Sequence, residues 1–188
     1  MTAPVGHLRV GPGSGHLIVR TLREGLAAKV GHDLTIDVSN WSGDLVHDPS
    51  DPAATTLTVT VDLDSLSVRE GSGGALPLTD RDRTEINATM RRIFGSAASS
   101  TAMFVASRVV PSGVGGSIDG TLRLNGIERP LRLDLVHGDA HRYRGTTTVK
   151  QSAFGIKPYS GMFGTLKVRD DVQVDFDVDL DAAERVEQ

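Results

Sequence analysis

The strongest constraint in this sequence is a period of two. In DLTIDVSN, Leu34, Ile36 and Val38 alternate with Thr35, Asp37 and Ser39. In TLTVTVDLDSL, Leu57, Val59, Val61 and Leu63 alternate with Thr58, Thr60, Asp62 and Asp64. In VQVDFDVDL, Val172, Val174, Phe176, Val178 and Leu180 alternate with Gln173, Asp175, Asp177 and Asp179. Successive strand side chains point to opposite faces, so each run has one apolar and one wet face. Wound as a helix, the same residues would scatter round the axis. Such alternation belongs to antiparallel sheets with one solvated side. With 188 residues, the chain is long enough for one domain with a substantial core.

Turn signals divide the strands. In LRLNGIERPLRLDL, Asn125-Gly126 marks a type I′ hairpin, because both central residues need positive φ. Pro130 cannot donate to a ladder, so it is expected at a bulge, an edge or a gap in pairing. A second hairpin is expected across HGDAH. One segment departs from the pattern: in TDRDRTEINATMRRIF, Ile86, Met90, Ile93 and Phe94 share one face of a helix over about residues 79–94. Thr79 or Asp80 would cap its start and Gly95 would end it. A shorter helical turn is expected in LREGLAAKV. Residues 1–14, rich in Gly and Pro, read as a flexible N-terminal arm, and residues 15–183 as a single domain. The expected fold is all-β, with eight or nine strands that close into a barrel or stack as a sandwich. Pattern alone does not choose between these.

Composition excludes several classes. The net charge is -4 and no basic stripe is present, so nucleic acid is not an expected partner. There is no cysteine, which rules out disulfides and thiolate metal sites. The opening residues, MTAPVGHLRVGPGSG, lack the apolar run of about 7–15 residues of a secretory signal. No stretch approaches the roughly 20 apolar residues of a spanning helix. The expectation is therefore a cytoplasmic chain with no transmembrane segment. A transmembrane barrel would need aromatic girdles, and one Trp, two Tyr and five Phe are too few.

A resemblance chooses the barrel. VGHDLTIDVSNWSGDL (residues 30–45) resembles the N-terminal signature of the YceI-like family, in which a Gly-His pair leads a strand ending in an aromatic-x-Gly turn. IDGTLRLNGIERPLRLDL (residues 118–135) resembles the family's hairpin. SAFGI (residues 152–156) and VQVDFDVDL (residues 172–180) follow in the family's order. The resemblance spans residues 16–180 and implies an antiparallel, lipocalin-like β-barrel of about eight strands with one helix. It also implies an elongated apolar pocket of the kind that holds a polyisoprenoid chain in characterised, bacterial members. Aromatic residues make up only 4% of this chain, so its pocket is expected to be shorter, aliphatic or filled by its own side chains.

The candidate ligand-binding residues are the large apolar groups near loops: Trp41, Phe104, Tyr143, Phe154, Ile156, Tyr159, Met162, Phe163 and Phe176. The alternative for each is ordinary plugging of a barrel end. SAFGIKPYSGMFG places several of them in a Gly/Pro-broken segment that could form a hydrophobic lid. His32, beside Gly31 and Asp33, is the polar candidate for a ligand headgroup; otherwise it is satisfied by backbone or a carboxylate. His137 and His141 could meet across a hairpin, but a metal would need a third ligand such as Asp139, so no metal or other cofactor is expected. The acidic stripe Asp175, Asp177, Asp179 and Asp181 reads as a solvated strand face. There is no G-x-S-x-G elbow and no P-loop, and the glycines of REGSGGAL read as a flexible connection. The function expected is a non-catalytic carrier of an apolar, lipid-like small molecule. One competing reading is a barrel with a filled interior that associates through an exposed edge or patch, for instance as a homodimer. Another is an enzyme for a hydrophobic substrate that pairs His32 with Asp33, although strand neighbours point to opposite faces.

Overall fold

In the computed structural model, which describes residues 6–48, 50–94, 100–139 and 141–186, each alternating run is a strand. The first part of the chain gives β1 (Gly6–Val10), β2 (Gly15–Thr21), β3 (Arg23–Glu24), β4 (Asp33–Val38), β5 (Trp41–His47), β6 (Thr56–Asp62) and β7 (Leu66–Ser72). After helix α1 (Asp80–Phe94) come β8 (Thr101–Ser112), β9 (Gly115–Leu124), β10 (Ile127–His137) and β11 (Arg142–Lys150). The last strands are β12 (Ser160–Gly161), β13 (Leu166–Val168), β14 (Asp171–Asp179) and β15 (Glu184–Arg185). The large sheet has the order β15-β1-β5-β6-β8-β9-β10-β11-β14-β2-β4-β7, and β12-β13-β3 form a small second sheet.

Closure follows from one bent hairpin. β4 pairs with β7 as far as Val38↔Leu66, and β5 pairs with β6 from Trp41↔Val61. Between these ladders the two chains turn a corner together. Asn40 N donates to Ser65 Oγ (3.0 Å), Asn40 Nδ2 donates to Asp62 Oδ2 (2.9 Å), and Asp62 N donates to Asn40 O (3.0 Å). Because β4 also pairs with β2, while β5 and β6 pair with β1 and β8, this hairpin joins the two ends of the sheet. The result is an antiparallel, lipocalin-like barrel. The excess over eight or nine strands comes from the two bends and the short β15.

The β9–β10 hairpin turns at Asn125 (φ 52°) and Gly126 (φ 74°), as the type I′ signal predicts. Pro130 pairs with Thr121 of β9, and pairing of β10 with β11 starts only at Asp134↔Thr146, so the proline sits in a gap. A 3-10 turn spans Ala28–Val30. Helix α1 opens with a reciprocal cap: Asp82 N donates to Thr79 Oγ1 (3.2 Å) and Thr79 N donates to Asp82 Oδ2 (2.9 Å). The helix also covers the sheet edge, because Asn87 Oδ1 accepts the Val68 amide (3.0 Å) at the β4–β7 bulge. Gly95, the expected end of the helix, lies outside the described residues.

The N-terminal arm needs correction. Residues 6–10 are strand β1, set between β5 and β15, and Leu8 is 1% exposed. GPGSG is a tight turn rather than a loose tether: Ser14 N donates to Gly11 O (2.9 Å) and Gly11 N donates to Ser14 Oγ (2.9 Å). At the other end, β15 carries the sheet to Arg185, beyond the expected boundary at 183. Residues 1–5 lie outside the described residues.

Candidate functional site

The inward faces do not meet. They surround a cavity of about 1270 Å³ whose wall draws on every strand of the large sheet from β1 to β14 and on α1. The accessibility along the strands agrees. Leu131, Leu133 and Leu135, and Val172, Val174, Phe176 and Val178, face inward yet are only half-buried, because part of each side chain borders open space. The wall is chiefly aliphatic. Helix α1 contributes Ile86, Met90, Ile93 and Phe94, the face its periodicity defined, and the preceding loop contributes Leu76, Pro77 and Leu78.

Seven of the ten candidate side chains border this space: His32, Trp41, Phe104, Tyr143, Ile156, Tyr159 and Phe176. Phe176 lies over Gly145 of β11, where any Cβ would collide with its ring. Tyr143 stacks on His137 with ring centroids 4.9 Å apart, and burial raises the pKa of its phenol. Tyr159 sits at the rim, partly exposed. Three candidates are elsewhere. Phe154 is buried in the side-chain core beneath a 3-10 turn, off the cavity wall. Met162 and Phe163 point outward from the Met162–Gly164 turn, with Phe163 fully exposed, so this segment does not fold inward as a lid. Their backbones take positive φ, 49° and 56°.

His32 faces the cavity, but its polar end is occupied. Its Nε2 lies 2.8 Å from the Leu76 carbonyl, which can only accept, so this nitrogen carries the proton. Asp33 is engaged elsewhere, accepting the Arg23 amide at 2.8 Å, so the two do not form an acid–base pair. His141 is buried and its Nδ1 bonds Asp181 Oδ1 at 2.8 Å. Among the described residues no three His, Asp or Glu side chains converge as metal ligands. The acidic stripe is answered by cations on neighbouring strands: Arg20 pairs with Asp175, and Arg142 and Arg144 pair with Asp177. Hydrogen bonds from Arg142 and, against partial burial, from Arg144 hold the Asp177 carboxyl below its usual range.

Polar atoms in the wall matter more than those candidates. Thr21, Trp41 and His47 line the cavity, and among the described residues Thr21 Oγ1, Trp41 Nε1 and His47 Nε2 are buried with no hydrogen-bond partner. Trp41 and His47 lie on the same face of β5, six residues or about 20 Å apart. Burial pushes the His47 imidazole pKa down; Asp48 opposes the shift and His141 adds to it. A buried polar atom left unpaired costs about 1–3 kcal/mol, a cost these three carry in the barrel wall. His47 was not among the sequence candidates, although its parity with Trp41 and Leu45 on one strand places it inward.

A barrel whose walls turn oily side chains onto enclosed space, with isolated polar atoms and no acid–base pair at His32, has the form of a small-molecule binding protein. The YceI-like domain model matches residues 19–180, and the chain belongs to that family, a family of binding proteins rather than enzymes. The crystal structure of Burkholderia cenocepacia BcnA is similar, with a TM-score of 0.62 at 18% identity over 87% of this chain and 94% of that one. The Campylobacter jejuni YCEI protein gives a TM-score of 0.51 at 14% identity over 81% and 85%. A mutant of the latter, crystallised with a monobromobimane guest structure, gives 0.52. At these identities the likeness is one of fold. No curated protein matches the sequence.

Proposed function

We propose that this protein is a non-catalytic carrier or buffer for an apolar chain, a polyisoprenoid or similar lipid, held inside the barrel. The observation that carries this reading is the aliphatic cavity of about 1270 Å³, larger than the roughly 300–1,000 Å³ usual for small-molecule sites. A filled interaction barrel would have no such space. Binding an isoprenoid needs no catalytic group: each methylene removed from water contributes about 0.8 kcal/mol, so ten carbons give roughly 8 kcal/mol before the cost of ordering the chain. The family's association with polyisoprenoids supports the ligand class.

The test is mass spectrometry of an organic extract of protein purified without detergent, followed by titration of the emptied protein with a fluorescent polyprenol. A lipid-like species in the extract and saturable uptake are expected. An empty extract together with no uptake of polyprenol or fatty acid would overturn the proposal.

A further inference from the structure

We propose that the small sheet and its loops form a surface that docks on an anionic phospholipid bilayer, with the mouth of the cavity turned towards the lipid. The proposal rests on the carrier reading for its purpose but not for its geometry. Backbone bonds tie two segments together here, Ala27 N to Thr165 O (2.9 Å) and Arg169 N to Leu22 O (2.8 Å), and Val168 N to Tyr159 O (3.0 Å) closes the second segment on itself. The resulting face concentrates exposed apolar side chains. Among the described residues, seven of the thirteen exposed large hydrophobics lie on it or on the adjoining loop: Leu22, Leu26, Val30, Tyr159, Met162, Phe163 and Leu76. Leu26 is 95% exposed and Phe163 108%. The other six lie elsewhere: Val46 on β5, Met103 and Val105 on β8, Val114 and Val136 at the β8–β10 end of the sheet, and Ile93 on α1.

Two further observations select the partner. The first is continuity. Val30, Leu76 and Tyr159 belong both to this face and to the cavity wall, so an apolar chain can pass between a bilayer and the barrel along greasy side chains. The second is charge. Lys29, Lys157, Lys167 and Arg169 are exposed on the same two segments, and none takes part in an ion pair among the described residues. Glu24 is the one acid within residues 22–30 and 157–169, although the whole chain carries -4. At the rim, Asp82 is hydrogen-bonded by Thr79 and Glu85 is paired with Arg81. An apolar tip ringed by cations is the chemistry of attachment to anionic lipid. The same charge would repel a second copy of this face. The Met162–Gly164 turn adds a structural sign: two bulky residues are held at φ 49° and 56°, a costly conformation whose visible result is two side chains presented to the outside.

The test is co-sedimentation of the full chain with extruded vesicles, either phosphatidylcholine alone or phosphatidylcholine mixed with phosphatidylglycerol, neither containing isoprenoid. Binding to the mixed vesicles is expected, with loss as salt approaches ~1 M, where the Debye length shrinks to ~3 Å. Leu26→Asp and Phe163→Asp should each weaken it by roughly tenfold or more. So should the triple variant Lys29→Gln/Lys157→Gln/Arg169→Gln. All these side chains are exposed and off the cavity wall, so uptake of polyprenol delivered from dilute ethanol should be retained, which reports both folding and the carrier reading. No binding to either vesicle would overturn docking, as would binding unaffected by Phe163→Asp. Concentration-dependent dimerisation abolished by Phe163→Asp, without vesicle binding, would reassign the face to self-association. Vesicle binding without polyprenol uptake would leave docking standing and remove the carrier.

Discussion

His47 is the side chain whose protonation the cavity controls most directly. Burial lowers its folded pKa from 6.5, against Asp48 and with His141. The unfolded chain therefore takes up this proton first on acidification. Stability is full above about pH 6.5, falls as pH drops through the unfolded value, and levels off below the folded one. Replacing His47 by Leu should flatten the drop in thermal midpoint between pH 8 and pH 5; a profile parallel to that of the wild type would refute this assignment. Asp177 runs in the same direction, its lowered pKa contributing stability that is lost only as pH falls below its ordinary value of 3.8, so the two windows separate. The candidate side chains show which cavity-wall positions sequence could reveal. Trp41, Phe104, Tyr143 and Phe176 sit on regular strands, where parity fixes the inward face. Phe154, Met162 and Phe163 sit in 3-10 turns, where no period links position to direction, so their place off the cavity wall was not legible.

At the scale of elements, α1 is both wall and edge cover, and its first turn is a testable hinge. Thr79→Ala removes one half of the reciprocal cap and should cost about 1 kcal/mol. Amide exchange should quicken in α1 and at Val68, whose amide is held by Asn87 of that helix; exchange unchanged at Val68 would mean that the helix is anchored by its apolar face alone. The helix was legible because its apolar residues recur at helical spacing behind a threonine cap, and the strands because they alternate. The corner at Ser39 and Asn40 was not. Two polar residues between alternating runs do not announce a corner, and only the pairing of Asn40 with Asp62 and Ser65 shows that both strands bend together and carry the sheet round. β1 was hidden for a related reason. Its five residues are too short for a convincing period, and the Gly/Pro segment after it suggested looseness where Ser14 closes a turn.

At the scale of the whole molecule, a cavity of this size leaves its lining side chains short of partner atoms on one side, so the empty barrel forgoes dispersion contacts that a ligand would restore. A ligand that binds the folded state alone stabilises it by mass action, by about 2.7 kcal/mol at a hundredfold excess over Kd. For a chain of this size that corresponds to a rise in Tm of roughly 5–10 °C. Extraction of lipid under mild conditions should lower Tm, and polyprenol should restore it. Leu133→Trp supplies the control. Leu133 faces the cavity from the middle of β10, so an indole in its place would project into the space a ligand would occupy. This variant should fold with Tm within a few degrees of the emptied wild type, take up polyprenol at least tenfold more weakly, and lose most of the ligand-induced rise. If emptied and loaded wild-type protein melted together, or if Leu133→Trp bound polyprenol unchanged, the ligand would not be seated in the barrel.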